Sequence, residues 1–303
     1  MDNFDPKKDV PDLDGKVILV TGGTAGVGAG TLVELANHNP AHLLFTGRNS
    51  RSAEATIAKI QAVSPSVKVE FIQCDLADLA SVKSASEKLV TELTRLDVLV
   101  CNAGIMAVPA ALSKDGYEIH FATNHLGHAL LTKKLLPLLQ TTAESGRDVR
   151  IITLSSLAWR GTPPGGIVFD KLKTTQEMAI GRWLRYGQSK LANMLYAREL
   201  AKRYPQILSF SVHPGVVRTG LVNDLRLADK ALVLLTNIGK MKTPEEGTYN
   251  TLWAITAPRE GIQPGVFYEP VGRATKMESN ASKDPELSVR LWEWTEQELA
   301  KFM

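Results

Sequence analysis

The sequence predicts an α/β domain, a doubly wound parallel sheet of about seven strands with helices on both faces. Three observations predict it. Short β-branched runs alternate with amphipathic stretches from residue 16 almost to the end, the pattern of successive βαβ units. The first run, 16–21 (KVILVT), reads as a strand buried in a sheet covered on both sides. A glycine-rich turn follows it and opens the first helix. No repeat, low-complexity tract or linker interrupts the 303 residues. Residues 1–303 therefore read as one domain, with a core over about 15–272 and a C-terminal helical extension over 284–303.

The elements follow in order. A helix over 26–38 leads to strand 41–47 (AHLLFTG), helix 50–63 and strand 67–74. Asp78 is placed to cap a helix over 79–93. Strand 96–101 (LDVLVC) precedes a long helix over 117–141 and strand 149–155. Residues 157–181 hold three glycines and two prolines between 161 and 166 and read as an irregular loop. Helix 186–203 and strand 207–213 come next, then an apolar helical segment over 221–239. Thr243-Pro244-Glu245-Glu246 opens a further helix with a capping box. Strand 265–269 and a helix over 287–302 complete the chain.

Composition bounds the function. With 44% hydrophobic and 22% charged residues, a chain this long buries a core that needs no disulfide or metal. The net charge is +3 and no Lys/Arg run exceeds two, which gives nucleic-acid binding no electrostatic footing. The N-terminal 14 residues are polar, and no stretch reaches the roughly 18 apolar residues of a membrane span. The best candidate, 225–238, is broken by Arg226, Asp229 and Lys230. Cys74 and Cys101 end the third and fourth strand runs, far apart in a 3-2-1-4-5 order, so no bridge joins them. A cytoplasmic protein without a membrane span is expected.

Residues 21–28 read TGGTAGVG. Gly22, Gly26 and Gly28, with Thr24 and Val27 between them, let the backbone turn tightly against a pyrophosphate, and the helix N-terminus offers it free N–H groups. A strand, this turn and a helix together indicate dinucleotide binding rather than a tight turn alone. The second strand run ends at Arg48, 20 residues past Gly28, where NAD-preferring folds carry an acid. A guanidinium there suits a 2′-phosphate, with Arg51 nearby, so NADP(H) is the expected cofactor. A solvated surface arginine is the plainer alternative.

Tyr186 and Lys190 stand one helical turn apart (YGQSK) and share a face. A free phenol is a poor acid/base at neutral pH, and a nearby ammonium favours its ionised form. By itself this pair is no more than an amphipathic helix allows. Other strand ends add to it. The fifth ends at Ser155 and Ser156, where a hydroxyl can donate to a substrate oxygen. The fourth ends at Asn102-Ala103-Gly104, and the third at Asp75-Leu76, with Asp75 placed for an adenine amino group. The sixth is followed by Pro214, Gly215, Val217 and Thr219. All belong to the carboxyl edge, where open α/β sheets bind ligands.

Over about 15–272 the set resembles the short-chain dehydrogenase/reductase family, with its Rossmann-type fold. TGGTAGVG matches the family's TGxxxGxG loop, CNAG (101–104) its NNAG motif except at Cys101, and TLSS, YxxxK and HPG follow in the family's order. The resemblance implies an NADP(H)-dependent oxidoreductase interconverting a carbonyl and an alcohol on a hydrophobic or aromatic small molecule. It implies that Ser156 polarises the carbonyl, Tyr186 exchanges the proton and Lys190 lowers the Tyr186 pKa and binds the nicotinamide ribose. It assigns Asn124 (in ATNHLGH) to a proton-relay water, and keeps Ser155 as the alternative serine. Ser156 and Tyr186 lie 30 residues apart, wider than in many members. The wide insert, NHLGHALLT, SKLAN and KTPEEG resemble the retinol-dehydrogenase-like branch, which often carries an N-terminal membrane anchor that is not seen here. Members often pair through the two long helices, here 117–141 and 186–203, which leaves a homo-oligomer open.

Two rivals remain: a non-catalytic NADP(H)-binding scaffold or redox sensor, and a membrane-associated retinoid enzyme. The intact Asn124/Ser156/Tyr186/Lys190 set argues against the first, and the polar N-terminus against the second. His120, His125 and His128 share one helix, but no acidic or cysteine cluster accompanies them, so packing is expected rather than a metal.

Overall fold

The computed structural model describes residues 4–178, 180–218, 220–223, 225–275 and 279–303. A short helix α1 (Pro6–Asp9) precedes β1 (Val17–Thr21), α2 (Gly26–Ala36), β2 (His42–Gly47), α3 (Ser50–Val63), β3 (Lys68–Gln73), α4 (Leu79–Glu92) and β4 (Val98–Cys101). There follow α5 (Ile119–Phe121), a π-helical turn (Ala122–Leu126), α6 (Gly127–Glu144), β5 (Arg150–Leu154), α7 (Gly181–Arg203), β6 (Leu208–Val212) and β7 (Val216–Val217). The chain continues with α8 (Gly220–Asn223), α9 (Leu227–Thr236), β8 (Met241–Lys242), α10 (Tyr249–Thr256), β9 (Phe267–Glu269), β10 (Arg273–Ala274), α11 (Asn280–Lys283) and α12 (Pro285–Leu299).

The main sheet has eight strands in the order β10-β9-β6-β5-β4-β1-β2-β3. All neighbours are parallel except β10 on β9, and β7 and β8 form a separate two-stranded ribbon. About seven strands were expected. The additional ones, β7, β8 and β10, are two residues long, too short to leave a periodic trace. In register, Leu19 pairs Leu44 and Leu99, and Leu99 pairs Ile151. These four side chains enter the core on one side of the sheet, while Val20, Phe45, Val100 and Ile152 enter the other. Apolar strands therefore still obey the two-residue alternation, with both faces buried. At the opposite end Asp97, wholly buried, accepts from the Val17 amide and pairs with Arg147 and Arg95.

The expected long helix is interrupted by the π turn, and the helix expected over 186–203 begins five residues earlier, at Gly181. The capping box forms, with the Thr243 amide donating to Glu246 and the Glu246 amide to Thr243 Oγ1, but it leads first into a 3₁₀ turn.

Residues 284–303 are part of the core rather than an extension. Leu287, Leu291, Trp292 and Leu299 of α12 join the same apolar cluster as α6 and α7. Trp292 stacks on Tyr196 at 4.9 Å and carries the Arg203 guanidinium on its face. Thr295 bonds His125, and Glu296 pairs with Lys133. The insert at 157–181 supports the same layer. Trp159, Ile167 and Leu172 are buried there, and Phe169 packs on Trp294. The segment expected as an irregular loop is thus anchored in the core by these side chains. Trp292→Ala should cost about 3–5 kcal/mol, read as a lower urea midpoint with an unchanged slope. An unchanged midpoint would show that α12 is not integral to the fold.

Candidate active site

The carboxyl ends of β1, β4, β5 and β6 open into a cleft of about 760 Å³. At one end lies the glycine turn. Gly22 takes φ +68°, and a Cβ on Gly28 would stand 2.5 Å from both Asn102 Nδ2 and the Gly22 carbonyl oxygen. Only hydrogen fits, so the backbone of the turn is itself the surface of the cleft. Ala25 precedes α2 without a side-chain cap, which leaves the first-turn N–H groups of α2 free of side-chain partners. Uncapped donors, the positive end of a helix and a surface without side chains fit a pyrophosphate.

Thr21, wholly buried, ties this turn to its neighbours. Its Oγ1 accepts from the Asn102 and Ala103 amides at 2.9 and 3.0 Å. His128 Nδ1 can only donate to the Asn124 carbonyl, so its Nε2 accepts from the Thr21 hydroxyl, at 2.8 Å. Asn102 Nδ2 donates to the Thr21 carbonyl. Thr24, Val27, Arg48, Asp75, Leu76, Ala103 and Gly104 line the cleft beyond this knot, and Pro214, Gly215 and Val217 its other wall. Arg48 is exposed at the mouth, beside Asp75, whose Oδ1 is held by the Ala77 amide. Thr219 lies outside the described residues.

The two serines at the end of β5 have different surroundings. Ser155 is buried and its hydroxyl donates to the Lys190 carbonyl at 2.7 Å. Ser156 lines the cleft with Tyr186, and its hydroxyl accepts from the Ala158 amide at 3.2 Å. Burial pushes the Tyr186 phenol up to about 12, with the Ser156 hydroxyl acting in the other direction. Lys190 Nζ lies 5.8 Å from the Tyr186 ring centroid and donates to the Leu154 carbonyl at 3.0 Å. Burial lowers its amine to about 8. Burial dominates both groups, and Lys190 makes no resolved contribution to the phenol. Asn124 does not line the cleft. Its Oδ1 accepts from the Ile105 amide, and its Nδ2 donates to the Ile105 carbonyl and to Ser189, next to Lys190.

A second buried network braces Tyr186. Glu118, wholly buried, bonds His120 Nδ1 at 2.8 Å and pairs with Arg185 at 3.1 Å. His120 Nε2 accepts from the Val108 amide, and its ring meets the Tyr186 ring at 6.3 Å. On the far side Trp183 packs on Tyr186, also at 6.3 Å, and donates to Asp229 of α9. Asp229 also bonds Arg182. Leu221, Val222 and Val233 complete an apolar wall.

Residues 16–230 match the short chain dehydrogenase family. A short-chain dehydrogenase/reductase from Aspergillus calidoustus is 39% identical over 96% of both chains. This chain is a short-chain dehydrogenase/reductase. Polyprenol dehydrogenase from Danio rerio is 35% identical to it, over 94% of this dehydrogenase/reductase and 86% of that protein. A crystal structure of an uncharacterized Mycobacterium paratuberculosis protein superposes on it with TM-score 0.74 and 30% identity, covering 96% and 95% of the two chains. Family membership makes the chain an oxidoreductase.

In this short-chain dehydrogenase/reductase the sequence reading missed Trp183 and the Thr21–His128 bond. Trp183 lies one turn before Tyr186, a signal hidden when the helix is started at Tyr186. The three helix histidines are each held by protein groups. Burial lowers His125 to about 3, and His128 to about 4. His213, in the cleft wall, is likewise lowered to about 4 by burial and then by Lys190. These folded values lie below the ordinary 6.5, so on acidification the unfolded chain binds protons first. Stability should fall as pH drops from about 6.5 towards 4, by on the order of 2 kcal/mol for each of these histidines at pH 5. Urea midpoints at pH 7 and pH 5 check this, and equal midpoints would mean the rings are protonated in the folded chain.

Proposed function

We propose that this chain is an NADP(H)-dependent oxidoreductase that interconverts a carbonyl and an alcohol on an apolar small molecule. One observation carries the reading. Ser156, Tyr186 and Lys190 line the same cleft that begins at the glycine turn. A substrate oxygen seated between the two hydroxyls would receive a hydrogen bond from Ser156 and the proton from Tyr186, and oxidation would reverse both. The bound nicotinamide supplies or accepts the hydride, and its oxidised ring adds a positive charge that favours the phenolate.

Lys190, fixed on the Leu154 carbonyl with its amine 5.8 Å from the Tyr186 ring centroid, would bind the nicotinamide ribose and favour the phenolate. Asn124 is a positioning residue, fixing the 104–105 backbone and Ser189. The uncapped turn of α2 would hold the pyrophosphate, Asp75 and Leu76 the adenine, and Asn102, Ala103, Gly104, Pro214, Gly215, Val217 and Thr219 the remainder. Arg48 would take the 2′-phosphate. Trp183 and the apolar wall exclude water and favour a hydrophobic or aromatic substrate. The name of the Danio rerio relative and the resemblance to the retinol-dehydrogenase-like branch support an apolar alcohol or its carbonyl. A scaffold that only bound NADP(H) would need neither a buried phenol nor a buried lysine beside it. Two free, buried cysteines support a reducing compartment such as the cytoplasm.

Tyr186→Phe should abolish turnover of a carbonyl panel, followed at the reduced-nicotinamide absorbance, while leaving NADPH binding within about twofold. Ser156→Ala should lower kcat by about 100-fold or more, and Ser155→Ala should act mainly on stability. A fully active Tyr186→Phe protein would end the acid/base assignment. Arg48→Asp should weaken NADPH by about 10–100-fold and leave NADH nearly unchanged, as it removes a charge-assisted contact. Equal losses for the two cofactors in a binding titration would place the 2′-phosphate elsewhere.

A further inference from the structure

Exposed apolar side chains are concentrated at the mouth of the cleft. Of the eleven large ones exposed among the described residues, seven lie between Met178 and Ile238. Ile180 is 68% exposed, Leu227 87%, Leu235 69% and Ile238 74%. The cleft explains only one side of this segment. Val233, Thr236 and Asn237 turn inward to line it, whereas Leu227, Leu234 and Leu235 on the same helix face outward. Closure of α9 over a ligand would not bury that outer side. Asp229, bonded to Arg182 and to the Trp183 indole at 2.9 Å, sets which side of α9 faces the body.

The charges around this surface say what fits it. Arg218, Arg226, Lys230, Lys240 and Lys242 lie within or beside the segment, against Asp224 and Asp229. Asp229 is already held by Arg182, and Lys242 shares Glu246. Arg226 and Lys240 are exposed, one before Leu227 and the other after Ile238. Exposed leucines between cations are the chemistry of a helix lying in the interface of an anionic bilayer, apolar side down and cations at the phosphates. A second copy would bring the same cations against these.

We propose that α9, with the turn at Ile180, seats on the surface of an anionic lipid bilayer, so that the mouth of the cleft opens against the membrane. No helix among the described residues is long and apolar enough to cross it, so the attachment is peripheral. The proposal goes beyond the redox reading, and its readout does not use activity.

The test is flotation of the full chain with vesicles of phosphatidylcholine alone or mixed with phosphatidylserine. We expect flotation with the anionic vesicles, about tenfold weaker on phosphatidylcholine and weakened by salt. The double substitution Leu235→Asp and Ile238→Asp, neither of which lines the cleft, should abolish flotation and leave the melting temperature and NADPH titration unchanged. Arg226→Glu with Lys240→Glu should remove the preference for anionic vesicles. Absence of flotation, or flotation indifferent to the Leu235/Ile238 pair, would overturn the proposal. So would a dimer on size exclusion that the same pair dissolves without any vesicle binding, since the face would then be a contact between copies.

Discussion

The site depends on one buried hydroxyl. Thr21 ends the first strand, and its Oγ1 accepts two amides from the end of β4 while donating to His128 on α6. A serine could make the same bonds with less conformational restriction; an apolar residue would leave the part-buried Ala103 amide without its partner, at a cost of about 1–3 kcal/mol, and the Asn102 amide with the Val100 carbonyl alone. The phosphate turn, the CNAG segment and the helix after the π turn are therefore held as one rigid unit. The cleft is built where these three meet.

Polar groups elsewhere around the cleft divide in the same way between fixing and facing. Ser155 and Asn124 are turned to backbone and to Ser189, while Ser156, one residue on from Ser155, lines the cleft with Tyr186. Glu118 accepts from His120, forms an ion pair with Arg185 and joins the loop before α5 to the residue preceding Tyr186. A buried carboxylate is tolerable here because it is paired and its other oxygen takes the Phe121 amide. Tyr186 thus has a constrained ring on each side, His120 and Trp183. Such constraint is what a proton donor needs if its oxygen is to stay in one place.

Much of this was legible in the sequence because it is local. A glycine turn between a strand and a helix, polar residues at strand ends, and a tyrosine and lysine one turn apart are all short-range patterns. The sheet order follows from βαβ handedness and strand succession. What was not legible depends on distant partners. The start of α7 at Gly181 rests on Trp183 and Arg182 meeting Asp229, some 46 residues away. The 157–181 insert looked like a surface loop because its glycines and prolines are conspicuous, yet Trp159 and Leu172 are buried in the layer shared with α12. The surroundings of Tyr186 and Lys190 were hidden for a related reason: spacing shows that the two share a helix face, but not that burial dominates the pKa of each.

The seating of α12 has a consequence for the order in which the chain is made. All eight strands of the main sheet and both long helices are translated before Leu287, Leu291 and Trp292 exist. Until α12 leaves the ribosome, the side of α7 that it will cover, including Tyr196, is without its partner. The nascent protein thus passes through a stage in which one flank of its sheet remains adhesive, the period when a chaperone has most to shield.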